Sequence, residues 1–432
     1  MTGVLMVAFH YPPCSGTSGV HRTLSFSRYL PREGWRPIVL SAESRAYESK
    51  DGGRLSEVPD EAIVRRVFAL DARRHLSVRG RYLRATALPD RWTTWWLGAV
   101  PAGLRLIRVQ RPRVIWSTYP ISTAHLIALT LHRLTGLPWV ADFRDPMTDV
   151  DYPHGASERR LYAWLERQAV RYAARLVFTT EGTRRLYLQR YPALEPARAV
   201  VIPNGYEESD FEALPAARAA AEGPFRLVHS GTIYPEERDP LPMLRALARL
   251  NRECVLTPAE LRVELRAPGH EEQYASVIQG LGLAGVVQIL PAIPHRQALL
   301  DCADASALLL LQGPSCNAQI PAKTYEYLRL GRPILALTPA ASDTAAVLAE
   351  CGGATRVEPL DEDAIYAAFP AFVRAVQAGR HPLPDANATA RYARHTHAAQ
   401  LAACFTELIP TLAASGEPAS GGSDRVRSPR GR

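Results

Sequence analysis

Short apolar runs rich in β-branched residues alternate with longer amphipathic stretches along most of the chain. In the first half, the runs lie at residues 4–9, 36–41, 114–117, 139–142, 176–179 and 200–204. The second half repeats the scheme, with runs at residues 226–230, 262–266, 286–290, 306–311, 333–337 and 355–358. Strands that alternate with helices in this way are typical of parallel βαβ units. The pattern therefore predicts an α/β protein built from two Rossmann-like halves.

The division into domains follows from the length of the chain and from local changes in composition. A chain of 432 residues is long enough for two domains that each bury a core. We predict an N-terminal Rossmann-like domain (1–210), a C-terminal Rossmann-like domain (220–385), a final helical segment (386–412) and a disordered tail (413–432). The junction falls in the polar, Ala- and Pro-rich stretch 206–223, and residues 388–412 predict one long helix.

Composition narrows the class of protein. Hydrophobic residues make up 47% of the chain and charged residues 22%, which is ordinary for a globular protein. The longest apolar runs are far shorter than the roughly 18 residues that span a bilayer. Residues 4–9 are typical of a first strand and not of a secretion signal, so we predict a cytoplasmic protein. The six cysteines are scattered without a CxxC pair, and they indicate neither a zinc site nor disulfides.

The net charge of +8 is carried almost wholly by arginine, because lysine occurs only at positions 50 and 323. Such an excess suits nucleic acid, an anionic membrane surface or phosphorylated substrates. We expect no nucleic-acid partner, because the basic residues do not form an aromatic-interleaved binding repeat.

A basic, aromatic stretch runs from residue 65 to residue 96. It carries Arg65, Arg66, Arg73, Arg74, Arg79, Arg81, Arg84, Arg91, Trp92, Trp95 and Trp96. We predict that part of it forms a surface for anionic lipid or a lipid-diphosphate acceptor, at the inner face of the membrane. The alternative is a solvated loop whose tryptophans pack in the core.

The candidate ligand-binding residues lie at the ends of the predicted strands, where open α/β sheets bind ligands. The first strand leads into a loop with Gly16 and Gly19, and such a loop brings backbone N–H groups and a helix N-terminus close to a phosphate. Arg22 lies in the first turn of the next helix, where it opposes the helix dipole unless it meets an anion. The alternative for this loop is a plain turn that needs glycine for a positive φ.

A second group of polar residues follows two neighbouring predicted strands. His125 lies in the first turn of the helix after one strand, and Asp142 and Arg144 end the next. A histidine at this place can point into the crevice at the strand ends, and a carboxylate with a guanidinium can hold hydroxyls or orient the histidine. The alternatives are a structural histidine and a simple ion pair from Arg144 to Asp145 or Asp149.

The strongest group lies in the second half. Gly231 ends the first strand there and allows a diphosphate to approach the backbone, and Arg238 is placed to neutralise its charge. Farther on, residues 317–327 lead into a helix on which Lys323 and Glu326 share a face. The alternative is an exposed ion pair between these two side chains.

Together these motifs resemble the GT-B glycosyltransferases of the GT4-like group, which build bacterial surface polysaccharides. The resemblance is carried, in order along the chain, by residues 11–28, 30–35, 120–125, 138–146, 202–205, 230–232 and 323–333. It implies two Rossmann-like domains that face an interdomain cleft, with a C-terminal helix that crosses back to the N-domain. It also implies transfer of a sugar from a nucleoside diphosphate sugar to a hydroxyl of a saccharide or lipid-linked acceptor. By the same resemblance, the transfer needs no metal and no cofactor, and it retains the anomeric configuration.

The same resemblance implies roles for individual residues. Glu326 resembles the second Glu of the family's E-x7-E motif, which binds the ribose, and His125 resembles the histidine placed near the reacting sugar. The implied catalytic residues are His125, Asp142, Arg144 and Lys323. The implied donor-binding residues are Gly16, Gly19, Gly231, Thr232, Arg238, Ile320, Lys323 and Glu326.

Two positions depart from the family pattern. Ala318 stands eight residues before Glu326, in place of the first Glu of E-x7-E, which contacts the donor sugar. Thr232 stands where many relatives carry an arginine on the diphosphate. Residues 149–151 spell DxD, a metal motif of the unrelated GT-A enzymes, which we interpret as chance. Two alternative functions stay open, a nucleotide-sugar 2-epimerase of the same fold and a non-catalytic partner protein, the latter because of Ala318.

Overall fold

The computed structural model describes residues 1–16, 19–77, 79, 81–149, 152–212, 214 and 223–409. Within this part of the chain, the strands form two wholly parallel sheets, one in each half, so the predicted α/β class is confirmed. The predicted tail 413–432, residues 150 and 151 of the DxD motif and most of the junction beyond residue 212 lie outside the described residues. No helix in the described ranges combines the length and the apolar character needed to cross a membrane.

The first sheet lies in the N-terminal half. Its strands are β1 (Thr2–Val7), β2 (Trp35–Ala42), β3 (Ile63–Val67), β4 (Val114–Thr118), β5 (Trp139–Arg144), β6 (Arg175–Phe178) and β7 (Ala199–Val201). They are arranged in the order β3-β2-β1-β4-β5-β6-β7, and Leu5 of β1 pairs with Ile38 on one side and with Ile115 on the other. The strand order reverses between β1 and β4, and this is the point at which doubly wound sheets open a ligand crevice.

The second sheet repeats this arrangement in the C-terminal half. Its strands are β8 (Phe225–Ser230), β9 (Leu261–Arg266), β10 (Val287–Leu290), β11 (Ala307–Leu311), β12 (Ile334–Leu337) and β13 (Ala354–Val357). The order is β10-β9-β8-β11-β12-β13, so the reversal falls between β8 and β11.

Helices connect the strands and cover the sheets. They are α1 (Gly19–Tyr29), α2 (Ala72–His75), α3 (Trp95–Gln110), α4 (Ser122–Thr135), α5 (Ala156–Tyr172), α6 (Glu181–Arg190), α7 (Leu241–Arg252), α8 (Glu271–Gly280), α9 (His295–Ala303), α10 (Ala322–Leu330), α11 (Asp343–Cys351), α12 (Glu362–Gln377), α13 (Ala386–Ala390) and α14 (Arg394–Glu407).

The first sheet is buried on both faces, which explains its nearly continuous apolar strands. Leu5 and Val7 of β1 belong to a core cluster on one face, together with residues of α3, α4 and α5. Val4 and Met6 point the other way, into a cluster completed by α1 and α14. The C-terminal helix therefore crosses back from the second half and packs on the first sheet.

The prediction of one long helix over residues 388–412 is wrong. The segment forms α13 and α14, separated by residues 391–393. At this break, the carbonyl oxygen of Tyr392 accepts a hydrogen bond from the N–H of Tyr206 at 3.2 Å, and the N–H of Arg394 donates to Tyr206 at 3.1 Å. A continuous helix would use these backbone groups internally, so the pairing between the crossing segment and the junction interrupts the helix.

Removing residues 388–432 is expected to unfold the N-terminal half or to lower its melting temperature strongly. Leu401 and Phe405 are fully buried in the first sheet's core, and each such side chain contributes roughly 1.5–3 kcal/mol when buried. Thermal unfolding followed by circular dichroism measures the effect. The control is removal of residues 413–432 alone, which we expect to leave the melting temperature unchanged; equal melting temperatures for the two truncations would contradict the prediction.

Candidate active site

The two sheets meet at a cleft with a cavity of about 600 Å³, a volume within the usual range for small-molecule sites. The loop after β1, the start of α1 and the end of β5 line it from the N-terminal half. The end of β8 and the starts of α9 and α10 line it from the C-terminal half. The cleft thus lies where the strand order of both sheets reverses.

One end of the cleft carries the residues predicted to hold a diphosphate. Gly231 follows β8 directly and has a φ of +107°, which disfavours any other residue. Its N–H donates to the carbonyl oxygen of Arg266 at 2.9 Å, so this group is not directed at a ligand, contrary to expectation. The glycine instead leaves room, because a Cβ there would lie 3.2 Å from Nζ of Lys323. Arg238 also lines the cleft, with its guanidinium 5.4 Å above the ring of Tyr234.

Lys323 makes a contact that the sequence pattern does not predict. Its Nζ lies 2.9 Å from Nε2 of His229, at the end of β8. Among the described ion pairs, none joins Lys323 to Glu326, so the alternative of an exposed pair between them is wrong. Burial, followed by the nearby charge of Arg238, lowers the pKa of Lys323 to about 7. Lys323 is not itself a cavity-lining residue, but its amine lies beside Gly231, which is, and near neutral pH it is divided between its amine and ammonium forms.

Glu326 lies one turn farther along α10, at the side of the cleft next to the junction. Its carboxylate is 3.8 Å from Nε2 of His295, which in turn is 3.5 Å from the carboxylate of Asp210. Burial raises the pKa of Glu326, and the hydrogen bond to Asp210 raises the pKa of His295. Arg394, which also lines this region, donates to the carbonyl oxygen of Gly205 at 3.0 Å. This side of the cleft offers several groups that bind hydroxyls.

The remaining predicted donor-binding residues divide into two groups. Gly16 and Ile320 line the cavity. Thr232 is exposed beside β8, outside the cavity lining. Gly19 begins α1 and allows a close approach behind the cleft, because a Cβ there would lie 3.0 Å from a guanidinium nitrogen of Arg144.

The predicted catalytic residues of the N-terminal half are more buried than expected. His125 is fully buried; its Nδ1 lies 2.8 Å from Oγ of Ser117, and its ring packs against Trp139 and Phe143. Burial lowers the pKa of His125 to about 4. It is not among the cavity-lining residues, so it does not point into the crevice. Its catalytic role stays a prediction.

Asp142 and Arg144, which end β5, differ in their access to the cleft. Asp142 is fully buried and holds the guanidinium of Arg22 through two hydrogen bonds of 2.9 Å. Arg22 lines the cleft and Asp142 does not, so Asp142 can act on the site only through this arginine. The carboxylate of Asp142 is also the anion that offsets the unfavourable position of Arg22 in the first turn of α1. Arg144 lines the cleft directly and has a φ of +58°. Burial lowers the pKa of Arg144, although Asp145 opposes this shift.

Ala318 lies at a contact between the two halves of the chain. Its carbonyl oxygen accepts hydrogen bonds from the hydroxyl groups of Thr180 and Thr183, at 2.7 and 3.3 Å. Beside it, the carboxylate of Asp343 accepts from the N–H of Gly182 at 2.9 Å. The segment that replaces the family's first Glu therefore links α6 to the C-terminal half, and Ala318 itself is not a cavity-lining residue.

Several charged or titratable residues that line the cleft were missed in the sequence analysis, among them His21, Glu207, His295 and Arg394. His295 follows β10 closely, so the rule that ligands bind at strand ends would have found it. Arg394 begins a helix more than 180 residues beyond the first sheet's last strand. No local signal indicates that it returns to the cleft.

In the described part of the chain, no group of three or more His, Cys, Asp or Glu side chains is arranged to hold a metal ion.

Comparison with known proteins agrees with this architecture. Residues 18–205 match the family model of the glycosyl transferase 4-like domain. A search of curated protein sequences found no match.

Several solved structures are similar over nearly the whole chain. Sucrose-phosphate synthase from Thermosynechococcus elongatus has a TM-score of 0.63 at 16% identity, covering 94% of this chain and 99% of that one. HepE of Anabaena, in complex with UDP-glucose, has a TM-score of 0.58 at 14% identity, covering 94% and 100%. WaaG, a glycosyltransferase involved in lipopolysaccharide biosynthesis, has a TM-score of 0.59 at 14% identity, covering 94% and 99%.

The fold is thus GT-B, with two Rossmann-like sheets that face a common cleft. Residues 18–205 of the N-terminal half match the glycosyl transferase 4-like domain, and the fold is similar to that of GT-B glycosyltransferases such as WaaG.

Proposed function

We propose that the protein transfers a sugar from a nucleoside diphosphate sugar to an acceptor hydroxyl. The observation that carries this proposal is the amine of Lys323 beside Gly231, at the end of β8, where Arg238 lines the same cleft. Two cations beside a residue without a side chain suit a diphosphate. The similar fold of HepE, which was solved with UDP-glucose, supports a donor of this class.

In the proposed reaction, the bond between the anomeric carbon and the diphosphate oxygen breaks while the acceptor oxygen bonds to that carbon. The acceptor proton passes to the leaving phosphate, and the anomeric configuration is retained, as in the family that the chain resembles. Negative charge grows on the diphosphate, so Lys323 and Arg238 stabilise the transition state. The proposal includes no metal and no cofactor, because these two cations supply the compensating charge.

We further propose that the acceptor is a saccharide or a lipid-linked glycan, held by the N-terminal half at the cytoplasmic face of the membrane. The reaction then belongs to the synthesis of a cell-surface polysaccharide or glycolipid. The similarity of fold to WaaG supports this assignment.

A thermal-shift screen against a panel of nucleotide sugars, followed by a turnover assay with the donors that bind, tests the proposed function. A donor at about 100 times its dissociation constant stabilises the folded protein by roughly 2.7 kcal/mol. We expect nucleotide release only when an acceptor is present. Conversion of the donor into its C2 epimer without an acceptor indicates the 2-epimerase, and binding without any turnover indicates the non-catalytic partner.

Replacing Glu326 by alanine is expected to weaken nucleotide binding by about 10- to 100-fold, while turnover at saturating donor changes less. The variant loses a carboxylate that we assign to the ribose, and a hydrogen bond to a charged group contributes about 1.5–3 kcal/mol. Isothermal titration with UDP measures the affinity. The control is Glu272→Ala, which removes an exposed carboxylate on α8; equal affinities of the two variants would refute the assignment of Glu326.

The predicted membrane surface over residues 65–96 needs revision. Trp95 is fully buried, Trp92 and Trp96 are half-buried, and the ring N–H of Trp96 donates to Thr130 at 3.0 Å. The tryptophans therefore serve the core, as in the alternative interpretation. Leu83 within this stretch and Leu97 directly after it are 77% and 60% exposed, and we propose that they carry the contact with anionic lipid.

Sedimentation with liposomes tests this membrane contact. At low salt, we expect the protein to bind anionic liposomes more strongly than neutral ones, because arginines attract anionic headgroups. Replacing Leu83 and Leu97 by serine is expected to weaken binding several-fold, whereas Leu360→Ser, at an equally exposed leucine of the C-terminal half, serves as the control. Equal binding to both kinds of liposome would rule out the contact.

A further inference from the structure

His229 is a fully buried imidazole that the proposed reaction does not yet use. It lies in β8, two residues before Gly231, and its Nδ1 is 3.0 Å from the carbonyl oxygen of Leu309 in β11. Nε2 also faces a carbonyl oxygen, that of Gly231, and a neutral ring can donate to only one of the two. Burial and the neighbouring Lys323 hold the pKa of His229 well below its ordinary value, so the ring is neutral. The contact with Lys323 decides which of the two nitrogens carries the proton.

Nε2 of His229 faces Lys323, whose amine lies beside Gly231 at the edge of the cleft. Nζ of Lys323 lies 2.9 Å from Nε2, and the carbonyl oxygen of Gly231 lies 3.1 Å from the same nitrogen. As an ammonium, Lys323 has only N–H donors, so its contact requires a lone pair on Nε2, and the ring proton then lies on Nδ1 and donates to Leu309. The imidazole is fixed at its other end by β11. It therefore acts as a rigid support for a side chain that is otherwise long and flexible.

We propose that His229 is a positioning residue, which accepts a hydrogen bond from Lys323 and directs this amine across Gly231 to the donor diphosphate. The inference rests on the proposed function, because it assigns the diphosphate to this end of the cleft. His229 does not touch the donor itself; it acts through Lys323.

The charged and titratable groups around Lys323 make donor binding depend on pH. His229 and Arg238 face it from β8 and the following loop, Cys302 faces it from α9, and Glu326 faces it from its own helix. Arg238 disfavours the ammonium form, and Glu326 is the one carboxylate in this set. An incoming diphosphate adds negative charge beside Nζ and favours the ammonium. Donor binding above neutral pH is therefore accompanied by uptake of a proton by Lys323, and affinity falls as the pH rises.

Two substitutions separate positioning of Lys323 from support of the fold. His229→Asn keeps an amide that can donate to Leu309, but it removes the acceptor at Nε2. His229→Gln places an amide oxygen near the position of Nε2, but it loses the donor to Leu309. We expect kcat to fall more than tenfold in the Asn variant and about threefold in the Gln variant. A larger loss in the Gln variant, or equal losses in both, would overturn the proposal, and melting temperatures report any common damage to folding.

A second measurement does not depend on turnover. The chain contains lysine only at positions 50 and 323, so lysine labelled with ¹³C at the ε carbon gives two NMR signals. Lys50→Arg assigns them. In the wild-type protein, we expect the Lys323 signal to titrate near neutral pH and to move to higher pH when UDP is added. In His229→Asn, this response to UDP should weaken.

The two measurements distinguish the failure of this inference from the failure of the proposed function. A Lys323 signal with the same pKa in the wild type and in His229→Asn overturns the contact with His229, whatever the activity, because loss of an acceptor should lower the pKa of the ammonium. A signal that changes in His229→Asn but does not respond to UDP or to any nucleotide sugar leaves the contact in place and overturns the assignment of the diphosphate, on which the positioning role depends.

Discussion

Replacing Lys323 by alanine is expected to lower turnover by about 100- to 1000-fold, with little change in folding. The ammonium of Lys323 lies beside Gly231, where negative charge grows on the leaving diphosphate in the proposed reaction. Removing one preorganised group that stabilises such charge costs on the order of 2.7–4 kcal/mol in the transition state. Steady-state kinetics at saturating donor and acceptor measure the effect.

The matched control is Lys50→Ala, because Lys50 is the other lysine of the chain and is exposed. We expect this variant to match the parent in kcat and in donor affinity. If Lys323→Ala is stable and stays within about threefold of the parent, a change of under 1 kcal/mol, then Lys323 does not stabilise the diphosphate.

Replacing Asp142 by asparagine is expected to destabilise the fold by about 3–5 kcal/mol. The variant leaves the guanidinium of Arg22 buried without its carboxylate, although the carbonyl oxygens of Ile202 and Pro203 still accept from it. It also replaces one of the two carboxylate oxygens by an NH2 group, so Arg22 and the hydroxyl of Thr118, now 2.9 Å from Asp142, share a single acceptor oxygen. Urea denaturation measures the free energy of unfolding.

Two further variants make this result specific. Glu43→Gln breaks the exposed pair of Glu43 with Arg45 and should cost under about 1 kcal/mol. The double replacement of Arg22 by methionine and Asp142 by leucine should lower the free energy of unfolding by less than Asp142→Asn alone, because it leaves no unpaired buried charge. A loss of under 1 kcal/mol in Asp142→Asn would show that the pair does not support the fold, and a catalytic role for Asp142 would gain weight.

The residues of the proposed diphosphate site were predictable because each lies just after a strand or near the start of a helix, and such places can be recognised in the sequence. Gly231 and Arg238 follow a strand, and Lys323 and Glu326 occupy one face of a helix that begins after Pro321. Ligand sites of α/β sheets lie at such places, so the positions could be found without the structure. Their individual contacts could not. The N–H of Gly231 is used within the sheet, and Lys323 contacts His229 in place of Glu326.

Errors in the N-terminal half have a common physical cause. His125, at a helix start beside a strand end, has the same local pattern whether its ring faces the crevice or the core, and packing against Trp139 and Phe143 decided for the core. The basic stretch 65–96 was not predicted to form regular structure, because Arg65 and Arg66 interrupt the apolar residues of the edge strand β3. An edge strand is partly exposed and therefore lacks the continuous apolar signal of the central strands.

The sequence by itself determined the two α/β halves and the approximate place of the site, because periodicity and strand-end chemistry are properties of short segments. The tertiary structure decided which distant residues meet. Lys323 and His229 are 94 positions apart, Arg22 and Asp142 are 120 positions apart, and the break between α13 and α14 depends on pairing with Tyr206. Such contacts exist only once the sheets and the crossing helix are packed, since no local pattern encodes the partner of a buried polar group.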